Sequence, residues 1–248
     1  MTAHEEALVK KHNEILSMVS HDLKSPMVAI IGAAQFIVND MKNKPHDPVW
    51  AELLNRVSNA GKGMQKLIED ILSMAKLEAG NEVVETDWIP DLEDEIKRAV
   101  RTFDFEADSK KIAMSVETSG VIPPVRWDMR RIHYHVLNNL LSNALKFTPS
   151  GGRVNISLSE ADGKVDIRVS DTGRGIPPGE QKRIFNRFER GVTASERVQG
   201  GFGLGLYNAN FFVKKHGGCI KVESSNETGT TFLIKLPLDA ATAEPAGV

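Results

Sequence analysis

Apolar residues recur at spacings of three and four in two stretches of the N-terminal part of the chain. The first stretch contains Leu16, Val19, Leu23, Pro26, Ile30, Ala33 and Ile37. The second contains Trp50, Leu53, Val57, Ala60, Met64, Leu67, Ile71 and Met74. This spacing places the apolar side chains of each stretch on one face of a helix. The second stripe is long enough to be typical of helices packed in a coiled coil or a bundle.

A segment with two prolines, NKPHDP at residues 43–48, separates the two stripes. Prolines disfavour helix and suit a short connection, so the sequence predicts an antiparallel, all-α helical hairpin. Two helices alone leave apolar surface uncovered, and a second copy would cover it in a dimeric four-helix bundle. We therefore expect a homodimer. Gly80 and Asn81 can end the second helix in a left-handed conformation, which closes a predicted first domain at residues 1–80.

The pattern changes from residue 81 onward to short mixed elements. Helices are predicted at residues 92–103, 130–147 and 204–216, and Asp128 is a candidate N-cap of the second. Strands are predicted at residues 112–116, 154–158, 165–169, 219–223 and 230–236. The turn at residues 161–164 would join two of these strands in a hairpin. This order predicts an α+β two-layer sandwich at residues 81–240, followed by a flexible tail at residues 241–248.

Composition narrows the classes of function. The formal net charge of −2 and the pI of about 6.4 provide no general attraction to nucleic acid, so we expect no nucleic-acid partner. The chain has one cysteine, Cys219, which favours a reducing, cytoplasmic compartment and is interpreted as a buried thiol. No apolar run approaches the length of a membrane span, and the N-terminus lacks a signal-peptide pattern. We expect a soluble chain.

The motif SHDLKSP, residues 20–26, contains the first candidate for chemistry. It places His21 on the first helix beside Asp22 and one turn before Ser25, off the apolar stripe. A neutral imidazole nitrogen is a nucleophile, and a carboxylate such as that of Asp22 can fix the tautomer by binding the other ring nitrogen. An isolated His-Asp pair is more often an ordinary part of a helix surface. The motif therefore needs support from the rest of the chain.

A second motif, NNLLSNALKFTP, places Asn139, Asn143 and Lys146 along one face of the predicted helix. Asparagine carbonyls are oxygen ligands suited to Mg²⁺, and a lysine on the same face can contact phosphate. The alternative is a polar helix face without a ligand.

Two glycine motifs follow. In SDTGRGIP, Asp171 at a strand end could accept a hydrogen bond from the amine of adenine, while Gly173 and Gly175 let the backbone approach a planar ligand. A tight turn after a strand also requires Asp and Gly. In GGFGLGLYNANFF, the residues Gly201, Gly203 and Gly205 precede a helix whose N-terminal amides suit a triphosphate. Close helix packing would also favour glycines, but three at alternate positions favour binding.

The order SHDLKSP, NxxxN, DxGxG, FNRF and GxGLGL resembles that of the sensor histidine kinases of two-component systems. The resemblance covers about residues 10–238, and the combination is specific although each motif alone is weak. It implies a helical dimerisation and histidine-phosphotransfer domain followed by an ATP-binding domain of the Bergerat type. It also implies ATP- and Mg²⁺-dependent autophosphorylation of His21, followed by transfer to an aspartate of a response regulator.

The resemblance implies roles for individual residues. His21 is similar to the phosphoacceptor and Asp22 to the residue that activates it. Asn143 corresponds to the Mg²⁺ ligand, with Asn139 and Lys146 close to the phosphates.

The same resemblance implies that Asp171 binds adenine. Residues 185–188 match the aromatic box, which ends at Phe188, and Arg190 would reach the γ-phosphate. Residues 191–199 match the flexible lid over ATP, which extends to Gly201.

Two positions depart from the family pattern. Phe202 stands between glycines where a small hydroxyl residue is common, which removes one contact to phosphate. Ser25 stands where Thr or Asn is associated with dephosphorylating the response regulator, so phosphatase activity stays open. Two other hypotheses remain: a catalytically silent scaffold, and an ATPase of the chaperone or mismatch-repair kind. The second explains neither the helical hairpin nor Asn139 at the position of an acidic catalytic residue.

Overall fold

The structure is a computed structural model that describes residues 23–24, 26–38, 40, 49–78, 84–189, 203–226 and 229–240. The chain divides into two compact units, Met1–Glu78 and Ala79–Val248. Among the described residues, no helix combines the length and the apolar character that crossing a membrane requires.

The N-terminal unit contains two helices, α1, which includes residues 26–38, and α2, Val49–Glu78. Both predicted stripes are confirmed where side chains are described. On α1 the stripe positions are half-buried or buried, and Ala33 is the most enclosed of them. The Trp50 indole donates to Asp40 Oδ2 at 3.2 Å, which joins the end of α1 to the start of α2 as a hairpin requires. The predicted connection at residues 43–48 and the helix end at Gly80 and Asn81 lie outside the described residues.

Apolar side chains also remain on the outside of this hairpin. Met27, Ile31 and Val38 follow one another at spacings of four and seven residues on α1, so they form a second apolar line. Each is about half exposed or more. Phe36 and Leu54 are exposed to a similar degree. The hairpin therefore carries more apolar surface than its two helices cover.

The C-terminal unit contains a five-stranded sheet and a separate two-stranded sheet. The described strands of the unit are β1 (Asp87–Ile89), β2 (Ala113–Ser119), β3 (Val125–Trp127), β4 (Arg153–Ala161), β5 (Lys164–Asp171), β6 (Cys219–Asn226) and β7 (Gly229–Pro237). The large sheet has the order β2-β4-β5-β7-β6, in which only β2 and β4 are parallel, while β1 and β3 form a separate antiparallel pair. The predicted β4–β5 hairpin is confirmed. Its turn residues Asp162 and Gly163 both have positive φ, as a two-residue hairpin turn requires.

Helices cover the apolar face of this sheet. They are α3 (Leu92–Arg101), α4 (Asp104–Lys110), α5 (residues 129–147) and α6 (Gly205–Lys215). The strands alternate between buried apolar residues and polar ones, so one layer of helices suffices. This arrangement confirms the predicted α+β sandwich.

Three local predictions differ from the structure. The single helix predicted at residues 92–103 is two helices, because Thr102 and Phe103 donate backbone hydrogen bonds to residues three positions earlier and tighten the last turn. The helix after Asp128 is present, and the Asp128 side chain caps it by accepting from Arg131 N, but it contains a π-helical turn at Ile132–Leu137. Cys219 is exposed, not buried, since it begins the edge strand β6.

Helices α5 and α6 form an antiparallel pair. At one end, His216 Nε2 accepts from the backbone N–H of Asp128 at 3.1 Å, and His216 Nδ1 bonds the carbonyl of Phe212 at 2.7 Å. In the middle, the His135 ring stacks on Phe212 with centroids 4.3 Å apart. Because Nε2 accepts a hydrogen bond, it carries no proton. Nδ1 then carries the proton and donates it to the carbonyl, so the imidazole is neutral. Burial lowers the pKa of His216 and favours this neutral form.

We expect the C-terminal unit to lose stability at acidic pH through His216. Since burial lowers the pKa of His216 in the folded chain, the unfolded chain takes up the proton first, near the ordinary value of about 6.5. The contribution of neutral His216 is complete above that pH and is lost as the pH falls below it. As the pH falls below this value, the difference in free energy of unfolding between the wild type and a His216→Gln variant should therefore shrink, by at most about 1.4 kcal/mol per pH unit.

The measurement is urea unfolding between pH 7.5 and 5.5, followed by tryptophan fluorescence in a Trp50→Phe background. The remaining tryptophans, Trp88 and Trp127, both belong to this unit. A difference between the two proteins that does not change with pH would contradict the expectation.

Candidate functional site

Asp171 ends β5, between β4 and β7, where its backbone pairs with Val154 and Thr230. The half-buried carboxylate accepts the backbone N–H of Gly173 at 2.8 Å, and the backbone N–H of Thr230 also donates to it. Burial raises the pKa of Asp171, while the two backbone donors oppose that rise. A carboxylate has further lone pairs, so Asp171 can accept from an amine donor of a ligand.

The loop after Asp171 packs against the end of α5. A Cβ on Gly173 would lie 2.7 Å from both Asp171 Oδ1 and the carbonyl oxygen of Phe147. Gly175 has a φ of 76°, a conformation that other residues adopt at a cost. Both glycines are therefore required by the protein itself. They bring the backbone of the loop to the side chain of Asp171 and to residue 147.

The predicted face of α5 is present, and its members have different surroundings. Asn139 is 5% exposed and donates through Nδ2 to the His135 carbonyl at 2.8 Å. Asn143 is half-buried, and its side chain makes no hydrogen bond with the part of the chain that the structure describes. The Lys146 ammonium lies 4.8 Å from the centre of the Phe147 ring. Asn143 is therefore the member whose amide can accept an outside partner.

The fit of Asn143 to Mg²⁺ follows from the donor atoms. Within the described ranges, no group of three or more His, Cys, Asp or Glu side chains is arranged to hold a metal ion. Magnesium commonly takes one or two protein oxygens and completes its octahedron with water and phosphate oxygens. One amide carbonyl that can accept a metal ion suits that chemistry, provided that the nucleotide supplies the phosphate oxygens.

Gly203 packs against the chain at residues 188–189. It has a φ of 69°, and a Cβ there would lie 2.6 Å from the carbonyl carbon of Phe188. The Phe188 N–H donates to the Gly203 carbonyl at 2.9 Å, and Phe188 itself has a positive φ of 61°. In addition, Arg187 donates to the Tyr207 hydroxyl at 2.7 Å. These contacts hold residues 187–189 against Gly203 and Tyr207.

Gly205, the first residue of α6, packs directly against α5. A Cβ on Gly205 would lie 2.6 Å from Asn139 Oδ1 and 3.0 Å from its Cγ. The Asn139 side chain is enclosed and tied through Nδ2, so it has little freedom to move away. The predicted cofactor residues Asn139 and Gly205 are thus brought into contact with each other.

The remaining predicted site residues lie outside the described residues. They are His21, Asp22, Ser25, Arg190 and Gly201, together with Phe202 and the lid at residues 191–199.

The sequence did not identify Arg174 or the Phe147 ring as candidate site residues. The Arg174 guanidinium lies 4.7 Å from the centre of that ring. A cation between the two glycines of DTGRG was the available signal. A contact between a loop and the end of a helix depends on the directions of side chains, which the spacing of residues does not reveal.

Two family models match consecutive parts of the chain. Residues 11–80 match the family described as His Kinase A (phospho-acceptor) domain. Residues 128–240 match the family described as Histidine kinase-, DNA gyrase B-, and HSP90-like ATPase. The chain belongs to the sensor histidine kinases of two-component systems.

Curated relatives resemble this histidine kinase over most of its length. The histidine protein kinase DivJ of Caulobacter vibrioides is 33% identical over 236 residues, which is 94% of this chain and 38% of DivJ. The sensor histidine kinase RppB of Synechocystis is 31% identical over 92% of this chain and 50% of RppB. This chain therefore spans half or less of the length of these relatives.

Solved structures agree with the fold of both units. The histidine kinase ThkA, in a crystal structure in complex with the response regulator protein TrrA, matches with a TM-score of 0.71 and 25% identity over 96% of this chain and 65% of that chain. The mycobacterial sensor histidine kinase MprB matches with a TM-score of 0.50 and 33% identity over 62% of this chain and 97% of that chain. The family assignment therefore rests on sequence and structure together.

The contact between Gly205 and Asn139 predicts a non-additive pair of substitutions. Gly205→Ala should destabilise the C-terminal unit by about 1–3 kcal/mol, because the added methyl group overpacks an enclosed site. In an Asn139→Ala background the same substitution should cost less, since the obstructing amide is gone. The measurement is a double-mutant cycle by urea unfolding. Additive effects of the two substitutions would show that Asn139 does not decide the cost at Gly205.

Proposed function

We propose that this chain is a kinase core that transfers the γ-phosphoryl group of ATP to His21 and then to an aspartate of a response regulator. The proposal that the chain binds ATP rests mainly on the half-buried Asp171 carboxylate, which two backbone amides orient at the end of β5. The acceptor part is supported by the match of residues 11–80 to phospho-acceptor domains.

Nucleotide binding is divided among a few side chains in this proposal. Asp171 accepts from the exocyclic amine of adenine, and Lys146 contacts the phosphates. Asn143 would hold Mg²⁺, which neutralises charge on the phosphate oxygens when it is bound. Arg190, Gly201 and the rest of the lid would close over the nucleotide and exclude water. A full-length structure of the histidine kinase ShkA is described as a complex with AMPPNP, which supports a nucleotide at this kind of domain.

Phosphoryl transfer requires in-line placement more than covalent chemistry from the protein. A neutral nitrogen of His21 attacks the γ-phosphorus, the bond to the bridging oxygen breaks, and ADP leaves. Asp22 holds the N–H of the other ring nitrogen and stabilises the positive charge that develops. The phosphoryl group then passes to a carboxylate of a receiver domain, a partner suggested by the ThkA complex with TrrA. In addition, Ser25 would orient a water that hydrolyses the aspartyl phosphate of that partner and releases inorganic phosphate.

We also propose that the hairpin pairs with a second copy in a four-helix bundle. The support is the second apolar line on α1, Met27, Ile31 and Val38, which the two helices of one chain leave exposed. A second hairpin offers an apolar face of matching length, because it is the same sequence.

The central prediction concerns phosphorylation of His21. Incubation with γ-labelled ATP and Mg²⁺ should give a phosphoprotein that is stable in alkali and labile in acid, because a phosphoramidate bond to imidazole has that stability. His21→Gln should remove the label, while His12→Gln in the same part of the chain should retain it. Labelling of the His21→Gln chain would refute the assignment. ATP binding without labelling of the wild type would favour the silent scaffold.

A second prediction concerns the pH dependence of adenine recognition. Only ionised Asp171 is a full acceptor, and burial raises its pKa above the ordinary aspartate value of about 3.9. Affinity should therefore fall as the pH decreases, and the fall should begin at a higher pH than for an ordinary aspartate. Adenosine is the appropriate ligand for calorimetry between pH 7.5 and 5, because it has no phosphate group that titrates in this range.

Asp171→Asn should bind adenosine at least about tenfold more weakly at pH 7.5, which corresponds to one lost charged acceptor, and with a flatter pH profile. Asp108→Asn, at an exposed position of α4, is the matched control. Equal pH profiles for the wild type and Asp171→Asn would contradict the role of this carboxylate.

A further inference from the structure

Two cationic side chains share one aromatic ring beside Asp171. The Lys146 Nζ lies 4.8 Å and the Arg174 Cζ 4.7 Å from the centre of the Phe147 ring. Because each lies less than 5 Å from the same point, the two cationic groups are at most about 10 Å apart. An anion that contacts both would be attracted by both charges.

The backbone of Arg174 is held where it can serve a ligand of Asp171. Gly173, the residue before it, packs against both Asp171 Oδ1 and the Phe147 carbonyl. Gly175, the residue after it, has a positive φ that turns the chain away. The loop therefore begins at the candidate adenine acceptor and directs the guanidinium to the Phe147 ring. Arg174 as a residue is exposed, so its donors can reach a ligand from solvent.

A guanidinium held on an aromatic face retains its N–H donors in the plane of the group. Cation–aromatic contact uses the face of the guanidinium, while hydrogen bonds use its edge. The edge is a planar fork that matches two oxygens of a phosphate, which an ammonium does not. Lys146 and Arg174 thus place a point charge and a fork near one ring, that of Phe147.

We propose that Arg174 is a specificity-determining residue that, together with Lys146, recognises the phosphate chain of the nucleotide. The inference rests on the proposed nucleotide site at Asp171. Contacts of Arg174 and Lys146 with phosphate would make the site prefer a nucleoside polyphosphate to the nucleoside. Asp171 alone would recognise both ligands equally, because it contacts only the adenine. The contact with Phe147 holds the guanidinium in place before the ligand arrives, which reduces the side-chain entropy lost on binding.

The test compares ATP with adenosine by calorimetry on the full chain in the presence of Mg²⁺. Arg174→Leu should weaken ATP binding about tenfold, as expected for the loss of one charge-assisted contact, and adenosine binding less than twofold. Arg174→Lys retains the charge without the fork and should give an intermediate loss for ATP. The affinity of the wild type for ATP should also fall more steeply with salt than that of Arg174→Leu.

Arg101→Leu is the matched control, because it removes an exposed cation from α3 in the same unit. It should leave both affinities within about twofold of the wild type, since long-range surface charges are screened. Equal losses for ATP and adenosine in the Arg174 variants would show that Arg174 only holds the loop, and unchanged affinities would show no role. Either result overturns this inference and leaves the nucleotide site standing. A wild-type chain that binds neither ligand would overturn the proposed function as well.

Discussion

The close antiparallel packing of α5 against α6 determines where the candidate nucleotide-binding side chains of the C-terminal unit lie. His216 joins the two helices at one end through the backbone of Asp128, and Gly205 meets Asn139 at the other. No Cβ fits at Gly205, so α6 begins in direct contact with the asparagine motif of α5. Because protein interiors tolerate little change in volume, this contact fixes the start of α6 relative to the functional face of α5.

The glycines acquire a different meaning in this arrangement. Gly173, Gly203 and Gly205 each lack a Cβ where protein atoms would collide with one. The glycine patterns therefore indicate close approach of backbone within the protein, and they do not by themselves indicate a ligand. The chemistry suited to a nucleotide comes instead from Asp171 and Asn143 and from the cations around Phe147. The glycines contribute by bringing the elements that carry these groups together.

The sequence predicts the elements whose signals are local. Asp128 caps α5, and Asp162-Gly163 forms the turn of the β4–β5 hairpin, because each signal acts within a few residues. The pair β1–β3 was missed because three-residue strands have no measurable period, and their pairing joins Asp87 to Trp127 across a long stretch of chain. The π-helical turn in α5 was also missed, since intrinsic helix propensity does not distinguish it from α-helix.

The same distinction between local and distant signals applies to the site. The spacing of Asn139, Asn143 and Lys146 places them on one helix face, and the structure has them there. Spacing could not distinguish the enclosed Asn139 from the available Asn143, because their difference arises from contact with Gly205 of another helix. The contact of Arg174 with Phe147 likewise depends on two segments that meet only after folding. Tertiary contact therefore decides which polar residues of a motif remain free for a ligand.

In the proposed mechanism, nucleotide recognition and phosphoryl acceptance belong to different units of the chain, Ala79–Val248 and Met1–Glu78. Asp171 and Arg174 would determine how much of the chain has nucleotide bound, whereas His21 would act in the chemical step after binding. Binding energy gained at the adenine through Asp171 is common to the ground state and the transition state, so by itself it raises affinity without accelerating transfer. Acceleration would come from in-line placement of His21 against the γ-phosphorus and from neutralisation of charge at the phosphates.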